Sequence, residues 1–259
     1  IRAARSIKAR KSEEVVEKPS MVDFPRLGAE SSEEIPVVAS KAVSEESKDN
    51  NEDENHIFVF GKNACGELGL NHKREVLVPT EVSQPSGGAA KQFAQVSLGR
   101  EHSAALTLDS TTFTAGSWIN NRLGHANRRT DAQKYSKAVH ALHRKQIIKL
   151  CCGDAHTVAV SKSGQIFTWG GSLHGKLGRR QGTDSESPVV QELVSEALRG
   201  EIVVDAACGA HHTLVCTASG SCFSFGGNSE GQLGLDTREP MECVPHLLRG
   251  GALLHGGHR

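Results

Sequence analysis

The chain has 259 residues, 37% of them hydrophobic and 23% charged, with no net formal charge at pH 7. That zero combines −4 over residues 1–55 with +4 over residues 56–259, and neither portion is basic enough to mark a direct nucleic-acid binder. No stretch approaches the roughly 20 apolar residues of a spanning helix and no secretory signal opens the chain, so a soluble protein without a membrane partner is expected.

Residues 1–55 open with a basic cluster of Arg2, Arg5, Lys8, Arg10 and Lys11 and close on a stretch rich in Glu, Asp, Asn and Ser between Ser44 and Glu54. Segments with so few large apolar side chains do not offset the entropy of ordering, and a disordered arm or linker is expected here. The basic cluster also has the composition of a nuclear address or a charged contact. The chain begins at Ile1 rather than Met and stops shortly after a proline-containing turn, which reads as a piece of a longer protein.

From residue 56 onward the sequence repeats. A frame G-x-x-x-x-G-x-L-G occurs as GKNACGELG (Gly61, Gly66, Gly69), GSWINNRLG (Gly116, Gly124), GGSLHGKLG (Gly170, Gly175, Gly178) and GGNSEGQLG (Gly226, Gly231, Gly234), with starts 55, 54 and 56 residues apart. A second frame interleaves with it: LGREHS (Gly99, His102), CGDAHT (Gly153, His156) and CGAHHT (Gly209, His212), its glycines 54 and 56 residues apart. Two motifs sharing one period mark a repeat architecture. Asn121 stands where the other copies have Gly66, Gly175 and Gly231. Since Asn is the side chain best suited to a left-handed conformation, a tight bend with positive φ is predicted at that position.

Within each period the apolar runs are short. In the third copy they are QIIKLCC, TVAVS, QIFTWG and PVVQEL, separated by turn residues including Ser163-Gly164. Their length and β-branched content predict a four-stranded antiparallel sheet. TVAV and TLVC are apolar on both faces, as sheets stacked face to face require.

The combination G-x-x-H-T, a short hairpin, F-x-W/F-G and G-x-L-G resembles the regulator-of-chromosome-condensation repeat over residues 57 to about 248. The resemblance implies an all-β fold, a partial β-propeller of about three and a half four-stranded blades: the final half of one blade and three nearly full ones. Such a piece leaves the faces and edges of its terminal blades open, and aggregation or capture of a partner is expected of it alone.

Seven cysteines without a C-x-x-C pair, most inside apolar runs, read as reduced thiols in a cytosolic or nuclear protein. Gly170 to Lys176 imitates a phosphate loop but has Leu177 where a magnesium-binding Ser or Thr belongs, and Glu67, Arg122 and Gln232 replace the lysine in the other copies. His102, His156 and His212 fall at one phase of the repeat and are expected as buried imidazoles hydrogen-bonding a neighbouring turn. His140 with His143, and His255 with His258, lack a third ligand nearby, so no metal or cofactor is expected. Trp118 and Trp169 fall in unlike parts of the repeat and do not form the tryptophan cluster of the family's light-sensing branch.

Function is therefore expected to be protein binding. The segment Asn120 to Lys145 is longer and more charged than its counterparts, which makes Arg122, Arg128, Arg129 and Lys134 the candidate partner contacts. The resemblance also implies an alternative, guanine-nucleotide exchange on a small Ran-like GTPase, with Glu101, Asp154 and His211 from the G-x-x-H turns carried over as the GTPase-facing residues. A chromatin-binding module is the second alternative, with a steep salt dependence as its mark.

Overall fold

The computed structural model describes residues 37–39, 56–85, 91–125, 138–180, 186–237 and 239–249. Four antiparallel sheets follow one another along the chain. The first contains β1 (Val37–Ala39), β2 (Phe58–Gly61) and β3 (Val76–Glu81). The second contains β4 (Phe93–Leu98), β5 (His102–Thr107) and β6 (Thr112–Gly116), with a single bridge from Phe113 to Ala138 in the fourth position. The third is β7 (Ile147–Cys152), β8 (His156–Ser161), β9 (Ile166–Gly171) and β10 (Glu186–Glu192). The fourth is β11 (Val203–Cys208), β12 (His212–Thr217), β13 (Cys222–Gly227) and β14 (Met241–Leu247).

These are blades, each a meander in which consecutive strands pair. The repeat extends to the irregularities: the first strand of each of the last three blades shifts register at the same place, at Phe93/Gln95, Ile147/Lys149 and Val203/Asp205. One departure concerns the amino-terminal portion, from which β1 pairs with β2 where a full blade has its second strand. A short stretch able to cap an open strand edge forms backbone hydrogen bonds that need no large apolar side chain.

The core consists of three layers, one between each pair of adjacent blades. Val59, Leu68 and Val76 of the first blade meet Phe93, Val96 and Ala105 of the second. Ala104 and Leu106 meet Leu150, Ala159 and Trp169 of the third, whose Val158, Val160 and Ile166 meet Val215, Phe223 and Phe225 of the fourth. Strand alternation explains the division, since Ala159 points one way and Val158 and Val160 the other. It also explains a contrast between equivalent strands: β8 is buried along its whole length, whereas β12 alternates buried and half-buried residues because no blade covers its second face among the described residues.

Side chains tie the first strands of adjacent blades together. Gln95 donates from Nε2 to the Leu150 carbonyl at 2.8 Å and accepts from the Leu150 N–H at 3.1 Å. One blade on, Lys149 in the position of Gln95 pairs with Asp205 at 2.7 Å.

All seven cysteines are free thiols. Burial pushes the Cys152 thiol up to about 12 and that of Cys208 well above its ordinary value, so both stay protonated at neutral pH and pack as small apolar groups.

Candidate functional site

The G-x-x-H turns and the G-x-x-x-x-G-x-L-G corners lie at one end of the blades, because His102, His156 and His212 sit opposite Gly116, Gly170 and Gly226 in the antiparallel register. The predicted bend is present: Asn121 has φ 56°, beside 81°, 73° and 72° at Gly66, Gly175 and Gly231.

The strand-opening histidines bind differently from the sequence expectation. Their rings fold over the glycine three residues before them, so a Cβ on Gly99, Gly153 or Gly209 would lie 2.4, 2.1 or 2.0 Å from the ring's Cε1. In His102 and His156 the hydrogen bond goes to the next blade rather than to a neighbouring turn, His102 Nε2 to Thr157 Oγ1 at 2.9 Å and His156 Nε2 to Thr213 Oγ1 at 3.0 Å, whereas His212, with no following blade among the described residues, is only half-buried. Each threonine hydroxyl donates in turn to a corner carbonyl of the preceding blade, Thr157 to Arg122 at 3.2 Å and Thr213 to Lys176 at 3.0 Å. The hydroxyl proton being used there, the histidines must donate, which assigns the Nε2–H tautomer and leaves Nδ1 of both without a partner. Burial holds His102 down to about 3 and His156 well below the ordinary value, so both are neutral.

This relay joins blades, and its removal has a defined cost. Thr213→Val strands a buried N–H and a buried carbonyl at once, for an expected loss of about 2 to 3 kcal/mol in denaturant unfolding. Thr213→Ser, the residue type that Ser103 supplies in the second blade, is expected to restore most of it. Equal stability of the valine and serine variants would refute the relay.

Above the relay lies a row of charged and imidazole side chains contributed by three blades. Arg122, only 5% exposed, donates from Nη1 to Glu101 Oε2 at 2.9 Å and from Nε to the Ile119 carbonyl at 2.8 Å. Two residues assigned by sequence to different roles thus form one ion pair, and Arg122 is an internal cation rather than an exposed contact. Asp154 is half-buried, and its N–H donates to the Ala210 carbonyl of the next blade at 3.2 Å. Beside that turn, the exposed rings of His211 and His174 approach to 4.9 Å between centroids. Burial and the nearby Lys176 hold His211 below its usual value. Glu101 and His211 immediately precede the strand histidines whereas Asp154 stands two residues before its own, so these three are not equivalent in register. Stacking of the blades nevertheless places all three at the same end.

Arg128, Arg129 and Lys134 lie outside the described residues, as do His255 and His258. His140 and His143 are exposed, with near-parallel rings 6.1 Å apart. Trp169 is fully buried and donates to the Arg122 carbonyl, whereas Trp118 is 39% exposed. Among the described residues no group of three or more His, Cys, Asp or Glu side chains is arranged to hold a metal, and no helix is long and apolar enough to cross a membrane. Sequence reasoning missed Lys176, buried in the third corner; the signal was the series Glu67, Arg122, Lys176, Gln232 at one position of the frame.

Comparison with known proteins agrees with this architecture. Models of the regulator of chromosome condensation (RCC1) repeat match residues 54–106 and 163–216, and a second model of the same repeat matches 147–176 and 203–232. The chain is 32% identical over 184 residues to the human E3 ubiquitin-protein ligase HERC2, covering 70% of this chain and 4% of that protein. It is 33% identical over 180 residues to the human probable E3 ubiquitin-protein ligase HERC4, covering 69% of this chain and 16% of the relative. It thus spans a small part of both. Prp20p of Saccharomyces cerevisiae superimposes with a TM-score of 0.61 at 18% identity, over 74% of this chain and 47% of Prp20p. Repeat matches, the identity to these relatives and the blade topology lead to one assignment: the chain belongs to the regulator of chromosome condensation repeat family.

Proposed function

We propose that this chain is a protein-interaction module and that the turn end of its blades is the contact surface. The observation that carries this reading is the row Glu101, Arg122, Asp154, His174 and His211 at one end of three stacked sheets, in which buried Arg122 fixes Glu101 and the bonded backbone of the Asp154 turn fixes where its carboxylate emerges. Such fixed groups lose little side-chain entropy on binding. Arg128, Arg129 and Lys134 are proposed as further partner contacts on their charge alone, and the reduced thiols favour the cytosol or nucleus as the compartment.

The test is quantitative capture of cellular proteins by the wild-type chain and by a Glu101→Gln, Asp154→Asn, His211→Ala variant. The variant is expected to lose its specific partners by about tenfold or more while remaining folded at the temperature of the assay, since a contact patch rests on a few fixed groups. Charge reversal at Arg128 and Arg129 tests the loop in the same assay. Unchanged capture by both variants would move the interface elsewhere.

A second reading, exchange activity on a small GTPase, is supported by the common placement of Glu101, Asp154 and His211. Prp20p, whose fold this chain shares in part, was described together with its binding to Gsp1p and histones. Nucleotide release from a panel of small GTPases decides it: accelerated release that disappears in Asp154→Asn supports exchange, and basal rates throughout reject it.

A further inference from the structure

The corner position before the G-x-L-G leucine is occupied differently in each blade, and in the first blade Glu67 keeps its Oε1 buried without a partner. Glu67 Oε2 accepts the Cys65 N–H at 2.7 Å, Arg122 donates to Ile119 and Glu101, and Gln232 Oε1 accepts the Glu230 N–H at 2.8 Å. Lys176 stands in the same place and is only 3% exposed, and its ammonium, which keeps some contact with solvent, meets no protein acceptor among the described residues. Asp154 acts on it through space without reaching ion-pair distance, Arg122 opposes its charge, and burial lowers its proton affinity. His174 and His211, both exposed, stand beside it, with their Cβ atoms 3.5 and 3.4 Å from where a Cβ of Gly227 would be.

A lysine tip that is largely covered but still reaches solvent, with no protein acceptor of its own among the described residues, is positioned to take one brought from outside. We propose that Lys176, flanked by His174 and His211, receives the side-chain carboxylate of an acidic residue in a protein partner. This deepens the interaction-module reading and rests on it. One carboxylate supplies a single negative charge and acceptor oxygens for the ammonium and for an imidazole N–H. Phosphate, with about two charges at neutral pH, is disfavoured by Asp154 and Glu101 alongside.

The probe is a fluorescein-labelled peptide of alternating glycine and aspartate, compared with its glycine–asparagine counterpart by anisotropy on the full chain at physiological salt. Wild type is expected to bind the aspartate peptide and not the asparagine one. Lys176→Gln is expected to weaken binding about tenfold or more, the loss typical of truncating one partner of a buried charge pair. Lys176→Arg should retain binding. The fold is expected to survive both, since glutamine and arginine occupy the same corner position at residues 232 and 122. Lys162→Gln, an equal loss of charge at the opposite end of the third blade, should change nothing.

Absence of binding to wild type, equal weakening by Lys162→Gln, or indifference to Lys176→Gln would each overturn the proposal. Displacement of the peptide by inorganic phosphate at matched concentration and ionic strength would overturn it in favour of a small-anion site. In all of these cases the capture assay with the Glu101, Asp154 and His211 variant still reports separately on whether the turn end binds proteins at all.

Discussion

Gly153→Ala is expected to be among the most damaging single substitutions in this chain, costing about 3 kcal/mol or more and separating the third blade from the fourth. The reason is collision. A Cβ there would lie 2.1 Å from Cε1 of His156 and 2.5 Å from the carbonyl oxygen of Gly209, the equivalent glycine one blade on. Gly99 meets the Gly153 carbonyl in the same way, at 2.3 Å, so the glycines form a ladder by which the blades approach backbone to backbone. The ring is fixed by its bond to Thr213 and the carbonyl by its own sheet, so neither moves without breaking the interface. Gly220→Ala is the control: its φ is +85° but nothing lies within 4 Å of the added Cβ, and a cost of about 1 kcal/mol is expected from the backbone alone. Denaturant unfolding of both variants decides the matter. Comparable losses would mean that the ladder does not hold the blades together.

Acid should destabilise the protein well above the range in which carboxylates titrate. The unfolded chain takes up a proton on each histidine as pH falls through about 6.5, whereas folded His102 resists protonation down to about 3. Stability from this source is therefore complete above the unfolded value and is lost progressively as pH falls toward the folded one. For His102 the loss at about pH 5 is about 2 kcal/mol, and His156, shifted in the same direction by burial and by the nearby Lys176, adds to it. The expected result is a marked drop in the urea midpoint between about pH 7.5 and about pH 5. His156→Gln should lower stability at the upper pH while making the drop smaller. An unchanged pH dependence in that variant would show that the imidazole is not held neutral by the fold.

Both effects arise from motifs that were plain in the sequence, yet their causes were legible to different degrees. The period near 55, the strands between the motifs and the left-handed bend at Asn121 all followed from local rules: alternation in a strand, and the φ that a tight corner demands. The G-x-x-H glycines could be recognised only as invariant features of the frame, because the atoms that exclude a side chain belong to a ring three residues on and to a carbonyl of another blade. The histidine bonds were assigned to a neighbouring turn for the same reason. Thr157 is 55 residues from His102, and Thr213 is 57 from His156.

The candidate site shows the same division. Glu101, Asp154 and His211 are selected from the turns by family resemblance, and their spacing to the strand histidines already sets Asp154 one residue apart from the other two; that all three share one end depends on the stacking of the blades. Arg122 looked like a loop cation available to a partner. Its burial and its bond to Glu101 depend on a corner of the second blade folding against that blade's own first turn.

What the chain's sequence determined by itself was the blade: where each strand runs, which faces are apolar and where the backbone must turn, since these depend on neighbours within a few residues. Tertiary structure decided how blades recognise one another and which polar groups are left over at their turn end. Those pairings join residues one period apart, and such residues become neighbours only when hydrophobic layers such as that between Val158 and Val215 stack the sheets in register. Of the corner residues, Arg122 is answered by Glu101, whereas Lys176 meets no protein acceptor and Glu67 keeps one oxygen without a partner among the described residues.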